Sequence, residues 1–412
     1  MHAVSQEGQA DRRPICYYWS MDPLDWVDDD LSRLQHEDLL RALPLPVRVQ
    51  GATVEQEGRR LVNFASNDYL SLAGDTRLAE AAEAACREQG VGRGASPLIC
   101  GRAVAHEQLE RRLAQFMQTE AALLFPTSFA ANAGVIPALV DSEDAIYGDA
   151  KNHASIIDGC RLSRAEKHIY PHRDTAALEK MLQRGTSYRR RLVVTDTLFS
   201  MDGDLAPLPE IAFLADKYGA MLMVDETHAV GVFGELGRGV VEHCAHRDRD
   251  LYGRVHVRVG TFGKALGSAG GFVCGSTALV RWLANRARTY VFSTAHPAAL
   301  SAAASVALDI VEAEPQRRKS LLVRAEALRA RLQLQEWNTG NSASQIIPLR
   351  VGDAARAMHL SKSLRKRGFW LPGIRPPSVP QEESLLRLGL TIGHTDEMLD
   401  ALVTALAGVR SV

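Results

Sequence analysis

The chain has 412 residues, of which 46% are hydrophobic, and its 48 Lys and Arg against 49 Asp and Glu give a formal net charge of −1. A chain of this length can bury a large core and form two or three domains. The balanced charge argues against nucleic acid as the main partner, because binding a polyanion requires an excess of basic residues.

The cysteines and the N-terminal residues bear on the cellular compartment. Six cysteines are scattered without a Cys-x-x-Cys pair or a metal-ligand spacing, which is typical of reduced thiols and predicts no metal site. The first fifteen residues are polar and lack the apolar stretch of a secretory signal. The apolar run 121–140 contains Pro126, Asn132 and Pro137, so it predicts a strand, a turn and a helix. We therefore expect a cytoplasmic protein with no membrane role.

An N-terminal arm is predicted over residues 1–65. Between Asp25 and Leu43 the apolar residues recur at roughly helical spacing among charges, which predicts an amphipathic helix that stops before Pro44. Arg41 lies near the end of this helix, and the pattern alone favours a solvent-facing side chain there. Residues 61–70 then read as a short strand that runs into Asn67.

A large domain is predicted over residues 66–305. Its apolar or alternating runs are mostly separated by helix-like segments, which predicts an α/β fold with a largely parallel seven-stranded sheet and helices on both faces. The runs are 121–125, 145–147, 168–170, 192–195, 221–224, 255–259 and 272–274. Ligand-binding side chains lie just past the carboxyl ends of strands in such sheets. Asp225 and His228 follow the fifth run, and His153 follows the second, where a core or surface histidine is the alternative.

The segment after the first run, residues 126–132, opens a helix with polar residues at its N-terminal end. Free backbone amides and the helix dipole at such a place suit an anion, such as a phosphate, near Ser128. An ordinary helix cap explains the same pattern.

Lys264 lies in a glycine-rich loop between the sixth and seventh runs. Glycines at 260, 263, 267, 270 and 271 allow backbone to approach a bound group closely. A lysine desolvated in such a loop can act as a nucleophilic amine, although a solvated surface lysine is the commoner case. The acid at position 225 favours the ligand-binding interpretation. A pyridoxal 5′-phosphate enzyme needs a carboxylate that keeps the ring nitrogen protonated and a lysine that carries the aldehyde.

A smaller C-terminal α+β domain is predicted over residues 306–412. A charged helical stretch at 306–336 is followed by strand-like runs at 345–351, 370–374 and 385–392. In the last run Leu386, Leu388 and Leu390 alternate with Arg387, which predicts that Arg387 projects away from the core.

Several segments together resemble the α-oxoamine synthases, a family of pyridoxal phosphate enzymes with the fold-type I, aspartate aminotransferase-like, PLP-transferase fold. The two segments that carry this resemblance are Asp-Glu-Thr-His at 225–228 and Thr-Phe-Gly-Lys at 261–264. Three others favour the member of the biotin pathway: Asn-Phe-Ala-Ser-Asn-Asp-Tyr-Leu at 63–70, Phe-Ser-Met-Asp-Gly-Asp at 199–204 and Ile-Arg-Pro-Pro-Ser-Val-Pro at 374–380. The resemblance runs from about residue 31 to the C-terminus.

The resemblance implies a role for each candidate residue. For the cofactor, it implies that Asp225 pairs with the ring nitrogen, His153 stacks on the ring, His228 bonds the 3′ oxygen with Ser200 near the same edge, and Ser128, Phe129 and Thr261 bind the phosphate. Lys264 is then both the aldehyde carrier and the general base. Thr294 would reach the phosphate of a neighbouring subunit, which implies a homodimer with shared active sites. Among substrate contacts, the resemblance implies that Arg387 binds the amino-acid carboxylate, Asn67 lies near the substrate and Arg41 contacts the acyl carboxylate.

The implied reaction is an acyltransferase reaction, the decarboxylative condensation of L-alanine with a pimeloyl thioester carried on coenzyme A or on acyl carrier protein. Alternatives within the family are glycine C-acetyltransferase and 5-aminolevulinate synthase, which share the lysine, the aspartate and the histidines. A more distant alternative is a non-catalytic partner subunit of such an enzyme. Those subunits typically lack the lysine that this chain has at position 264.

Overall fold

A computed structural model describes residues 22–41, 43, 47–248 and 250–410. The chain divides between residues 44 and 45 into two compact units. Among the described residues, no helix is both long enough and apolar enough to cross a bilayer.

The described part of the first unit contains one helix, α1, Asp25–His36. The predicted helix therefore exists, but it ends at His36 and not at Leu43. Asp38 takes a left-handed φ of 55°, and the amides of Leu39 and Leu40 turn back to the Leu34 carbonyl. This reversal ends the helix well before the prolines that were expected to stop it.

The second unit contains all the other described elements. Its strands are β1 Arg48–Gln50, β2 Thr53–Gln56, β3 Arg59–Asn63, β4 Ala121–Phe125, β5 Ala145–Asp149, β6 Glu166–Tyr170, β7 Arg191–Asp196, β8 Met221–Asp225, β9 Val257–Thr261, β10 Gly271–Gly275, β11 Ile346–Gly352, β12 Phe369–Trp370, β13 Gly373–Ile374 and β14 Ser384–Gly389. Its helices are α2 Thr76–Gln89, α3 Val104–Met117, α4 Ser128–Leu139, α5 Ala154–Leu162, α6 Thr175–Arg184, α7 Leu208–Lys217, α8 Val240–Ala245, α9 Leu251–Arg254, α10 Thr277–Arg286, α11 Arg288–Val291, α12 Ala298–Ala313, α13 Gln316–Leu334, α14 Ala354–Lys366 and α15 Asp396–Arg410, with a π-helical turn at Pro97–Gly101.

The seven-stranded sheet has the order β4-β10-β9-β8-β7-β5-β6, and only β10 runs antiparallel to its neighbours. This confirms the predicted largely parallel sheet. Alternate residues of its strands enter two different hydrophobic clusters: Val193 and Leu222 face one, and Val194 and Met223 face the other. Helices therefore cover both faces of the sheet, as the apolar runs predict.

The parallel strands place their last residues along one edge of the sheet. Asp196 at the end of β7 is in register with Asp225 at the end of β8, and β9 continues this edge toward Thr261. Such an edge is where open α/β sheets bind ligands.

Two smaller sheets complete the unit. One has the order β1-β2-β3-β12 and the other the order β11-β14-β13. The predicted helical stretch at 306–336 consists of the end of α12 and the whole of α13, which are separated near Pro315. Residue 305 lies within α12, and β3 pairs with β12 across a long sequence distance. The division into domains 1–65, 66–305 and 306–412 remains a prediction.

Candidate active site

Lys264 lies in the loop between β9 and β10, and its Nζ is 2.7 Å from Nε2 of His228. Burial disfavours the charged ammonium and lowers the pKa of Lys264 to about 7, although the nearby Asp225 acts in the opposite direction. Among the described residues, no salt bridge involves this lysine. A partly enclosed amine of low pKa can be a base and a nucleophile near neutral pH.

His228 follows β8 and is buried. Its Nδ1 lies 2.7 Å from the hydroxyl of Tyr69, so the imidazole is held between this hydroxyl and Lys264. Gln345 donates a hydrogen bond to the backbone carbonyl of His228 at 3.0 Å. Burial, with the positive charge of Lys264, lowers the pKa of His228 well below its usual value. The ring is therefore neutral at neutral pH.

Arg387 extends from β14 to the same place. Its Nη2 lies 3.5 Å from the Tyr69 hydroxyl, and its Nε donates to the carbonyl of Ser200 at 2.6 Å. Tyr69 also lies 3.1 Å from Oδ1 of Asn67. The predicted residues Asn67, Ser200 and Arg387 are thus brought together with His228 and Lys264, and Tyr69 is the residue that joins them.

Asp225 is held by two donors. Nδ2 of Asn132 donates to its Oδ2 at 2.7 Å, and the amide of Thr227 donates to its Oδ1 at 2.8 Å. Asn132 also lies 2.9 Å from Oγ of Ser155, which in turn lies 2.7 Å from Nδ1 of His153. Asp225 and His153 are therefore linked through two residues that sequence reasoning did not select.

Asp196 is a second buried acid at this edge of the sheet. Its Oδ2 accepts the backbone amide of His153 at 2.6 Å. Burial and the neighbouring charge of Asp225 raise the pKa of Asp196 well above its usual value. The side chain fixes the start of α5, and with it the position of His153. Its place at the end of an apolar run, as for Asp225, was a signal that could have found it.

Gly271 of β10 lies next to both Ser128 and Thr261. Gly271 pairs with Thr261 in the sheet, and a Cβ built on Gly271 would lie 2.4 Å from the amide nitrogen of Ser128. Thr127 caps α4 by accepting the amide of Ala130. Only glycine at 271 allows the strand to approach the first turn of α4 this closely. Phe129, in the same turn, is 45% exposed.

None of the contacts described above involves Thr294 or Arg41. Thr294 is exposed and lines a small cavity with Arg102 and Glu110. Arg41 is exposed and belongs to the other compact unit. Their roles remain predictions.

A cavity of about 590 Å³ opens beside His153. Much of its wall is apolar, from Ile157, Phe199, Met201, Val379, Leu385 and the prolines at 376, 377 and 380. The cations Lys151 and Arg350 also line it, and they form ion pairs with the acids Asp202 and Glu383 in the same wall. The cavity can hold a flexible apolar chain next to the edge of the sheet where the parallel strands end.

Three possible metal ligands, His172, Asp202 and Asp204, lie within 4.8 Å of one another. Asp202 already pairs with Lys151, and Asp204 pairs with His172 at 3.1 Å. These contacts neutralise the acids, so the group is explained as an ion-pair network and we assign no metal to it.

The chain matches known proteins over nearly its whole length. The family model described as aminotransferase class I and II matches residues 59–406. A protein named 8-amino-7-oxononanoate synthase from Anaeromyxobacter sp. (strain Fw109-5) is 51% identical over 390 residues, which is 95% of this chain and 97% of the relative. A protein of the same name from Geobacter sulfurreducens is 44% identical over 93% of this chain and 97% of that relative.

Solved structures agree on the fold. A serine palmitoyltransferase from S. paucimobilis with bound PLP superposes with a TM-score of 0.88 at 28% identity, over 95% of this chain and 99% of the other. The chain belongs to the aminotransferase class I and II family and, within it, to the family of the 8-amino-7-oxononanoate synthases.

Proposed function

We propose that the protein condenses L-alanine with a pimeloyl thioester, giving 8-amino-7-oxononanoate, CO2 and the free thiol, a step of biotin biosynthesis. The observation that carries this choice is the large, mainly apolar cavity beside His153. An acetyl group would leave most of it empty, whereas a seven-carbon acyl chain can use its apolar wall. The names of the relatives described above support the same reaction.

The side chains fit pyridoxal 5′-phosphate as the cofactor. Oδ1 of Asn132 and Oγ1 of Thr227 are buried without a hydrogen-bond partner among the described residues, and both lie on the residues that hold Asp225. Lys264 has no ion-pair partner in the same set. When bound, the cofactor supplies an aldehyde that holds the amino acid and a ring that stabilises negative charge at its Cα.

Each residue then has a distinct task. Asp225 would keep a proton at the ring nitrogen, and Asn132 holds its carboxylate in place. His153 would lie against the ring face, with its backbone fixed by Asp196. Ser128 and Phe129 lie in the first turn of α4, whose amides favour a phosphate, and Thr261 pairs with Gly271 beside this turn. His228 and Ser200 would lie beside the 3′ oxygen of the cofactor.

Lys264 removes the Cα proton of L-alanine at its Nζ. A pKa of about 7 leaves much of the amine unprotonated near neutral pH, and the conjugate ammonium is acidic enough to return a proton.

Arg387 binds the carboxylate of L-alanine. Its Nε is fixed by the carbonyl of Ser200, so its Nη groups face the space beside Tyr69 and Asn67. A planar guanidinium can bind a carboxylate through two parallel hydrogen bonds, which an ammonium cannot do.

The assembly that we propose is a homodimer with shared active sites, in which Thr294 of one subunit reaches the phosphate of the other. Thr294 is exposed in the single chain, and the nearby Phe292 is 70% exposed. An exposed aromatic side chain supports a second subunit packing on this surface. We further propose that Arg41 contacts the distal carboxylate of the acyl chain. The acyl carrier can be coenzyme A or acyl carrier protein.

Release of free thiol tests this function. We expect purified protein loaded with pyridoxal phosphate to release coenzyme A from pimeloyl-CoA only when L-alanine is present, and to lose this release in Lys264→Ala. Pimeloyl carried on acyl carrier protein is assayed in parallel and decides the carrier. Release with glycine and acetyl-CoA alone would overturn the assignment in favour of glycine C-acetyltransferase.

A further inference from the structure

Tyr69 is the buried residue on which the substrate-binding and proton-transferring groups converge. Its side chain is fully buried, and its hydroxyl lies 2.7 Å from Nδ1 of His228. The other ring nitrogen of His228 lies 2.7 Å from Nζ of Lys264. Lys264, His228 and Tyr69 thus form a continuous chain of two short hydrogen bonds.

The number of protons in this chain limits its arrangements. The neutral imidazole of His228 carries one proton on its two nitrogens, and the hydroxyl of Tyr69 carries one. Asn67 Oδ1 can only accept, at 3.1 Å, and Arg387 can only donate, at 3.5 Å. The hydroxyl proton of Tyr69 therefore points either at Asn67 or at Nδ1 of His228.

These limits leave two complete arrangements. When Lys264 is an ammonium, it donates to Nε2 of His228, Nδ1–H donates to Tyr69, and Tyr69 donates to Asn67. When Lys264 is a neutral amine, Nε2–H donates to its lone pair, and Tyr69 turns its proton to Nδ1. The two arrangements differ by one proton on Lys264, and both ring nitrogens keep a partner in each.

We propose that Tyr69 is a positioning residue for Lys264 that acts through His228. Because its hydroxyl can either accept or donate, the imidazole stays in place beside the amine before and after the amine takes up a proton. This inference rests on the proposed function, in which Lys264 takes and returns the Cα proton. A phenylalanine at position 69 would leave Nδ1 buried without a partner.

Other residues surround the hydrogen-bonded chain of Lys264, His228 and Tyr69. Asp225, Asp196 and Arg387 face Lys264, and Arg387 and His153 face His228. Arg387 and Gln345 also lie beside Tyr69. None of these contacts bonds Nδ1 of His228, so Tyr69 holds that atom.

The variant Tyr69→Phe tests the role, and Tyr147→Phe is the matched control. Tyr147 is also fully buried, on β5, and its hydroxyl has no hydrogen-bond partner among the described residues. The first assay follows exchange of the L-alanine α-proton in D2O by the cofactor-loaded protein without a thioester. We expect exchange to fall about tenfold to a hundredfold in Tyr69→Phe, as for a base held slightly out of place, with little change in the KM for L-alanine. The control should exchange at the wild-type rate.

The second readout uses the cofactor-free protein and does not depend on activity. Nitrogen-15 NMR of labelled histidine reports the tautomer of His228, whose signals are identified by their loss in His228→Gln. We expect the proton on Nδ1 at pH 6, where Lys264 is charged, and on Nε2 at pH 9, where it is neutral. In Tyr69→Phe this change should be lost or displaced, and in Tyr147→Phe it should persist.

The outcomes separate the inference from the proposed function. Absence of α-proton exchange in the wild type would overturn the proposed function. Wild-type exchange with the same tautomer at both pH values, or a Tyr69→Phe variant that exchanges normally, would overturn the role of Tyr69. The wild-type tautomer measurement decides even where Tyr69→Phe fails to fold.

Discussion

Replacing Lys264 by methionine should change how the stability of the cofactor-free protein depends on pH. The side chain is similar in length and has no charge, so the substitution removes the buried ammonium. Lowering the pKa of Lys264 from 10.5 to about 7 corresponds to a cost of at most about 5 kcal/mol for the folded state at low pH, since a tenfold change in an acid constant is about 1.4 kcal/mol.

The sign follows from proton binding. Between pH 7 and 10.5 the unfolded state binds the lysine proton and the folded state does not, so the free energy of unfolding rises with pH in this window. Below pH 7 both states are protonated and the full cost is present. We expect the wild type to gain about 2 kcal/mol relative to Lys264→Met between pH 7 and pH 9, by the same conversion and because the folded-state lysine is already half deprotonated at pH 7.

Urea unfolding at fixed protein concentration and several pH values measures this difference. Lys264→Met also loses the hydrogen bond to His228, which adds an offset, so the pH dependence is the test. Lys180, an exposed lysine on α6, supplies the control, because its ammonium is solvated in both states. Stability curves of the wild type and Lys264→Met that stay parallel from pH 6 to pH 9 would refute the reasoning.

Three further substitutions test separate parts of the site. Asp225→Asn should lower turnover at least about a hundredfold, because the charge that keeps the ring nitrogen protonated is lost, and near-normal turnover in steady-state assays would contradict this. Arg387→Lys should raise the KM for L-alanine by about tenfold to a hundredfold through loss of a two-point contact, whereas an unchanged KM would argue against carboxylate binding there. Glu226→Ala leaves the buried amides of Val240 and Val241 without the carboxylate that accepts them at 2.8 and 2.9 Å; we expect a loss of about 3 kcal/mol in urea unfolding, and a loss below about 0.5 kcal/mol would show that these bonds matter little.

The sequence predicted the sheet and its catalytic edge because both depend on local patterns. Apolar runs fix the buried strands, and the carboxyl ends of parallel strands must meet at one edge. Asp225, His228 and Lys264 could therefore be expected near one another on the strength of the sequence alone. Their proposed roles came from the family resemblance, which local patterns do not supply.

Tyr69 and Asn132 were missed because their partners are distant in sequence. The Tyr69–His228 contact spans 159 residues, and the Asn132–Asp225 contact spans 93. A tyrosine after a short strand and an asparagine inside an apolar helix carry no local mark of such contacts. The end of α1 was misplaced for a similar reason, since the left-handed turn at Asp38 is not encoded by a glycine or a proline.

The mass of the condensation product tests the central claim most directly. Protein loaded with pyridoxal phosphate is mixed with L-alanine and pimeloyl-CoA in one reaction, and with glycine and acetyl-CoA in a second. The proposed function predicts a product with the mass of 8-amino-7-oxononanoate in the first reaction and none in the second. Product in the second reaction alone would contradict the substrate assignment. If neither reaction gave a product while the cofactor was bound, neither substrate pair would be the natural one, although the fold assignment would stand.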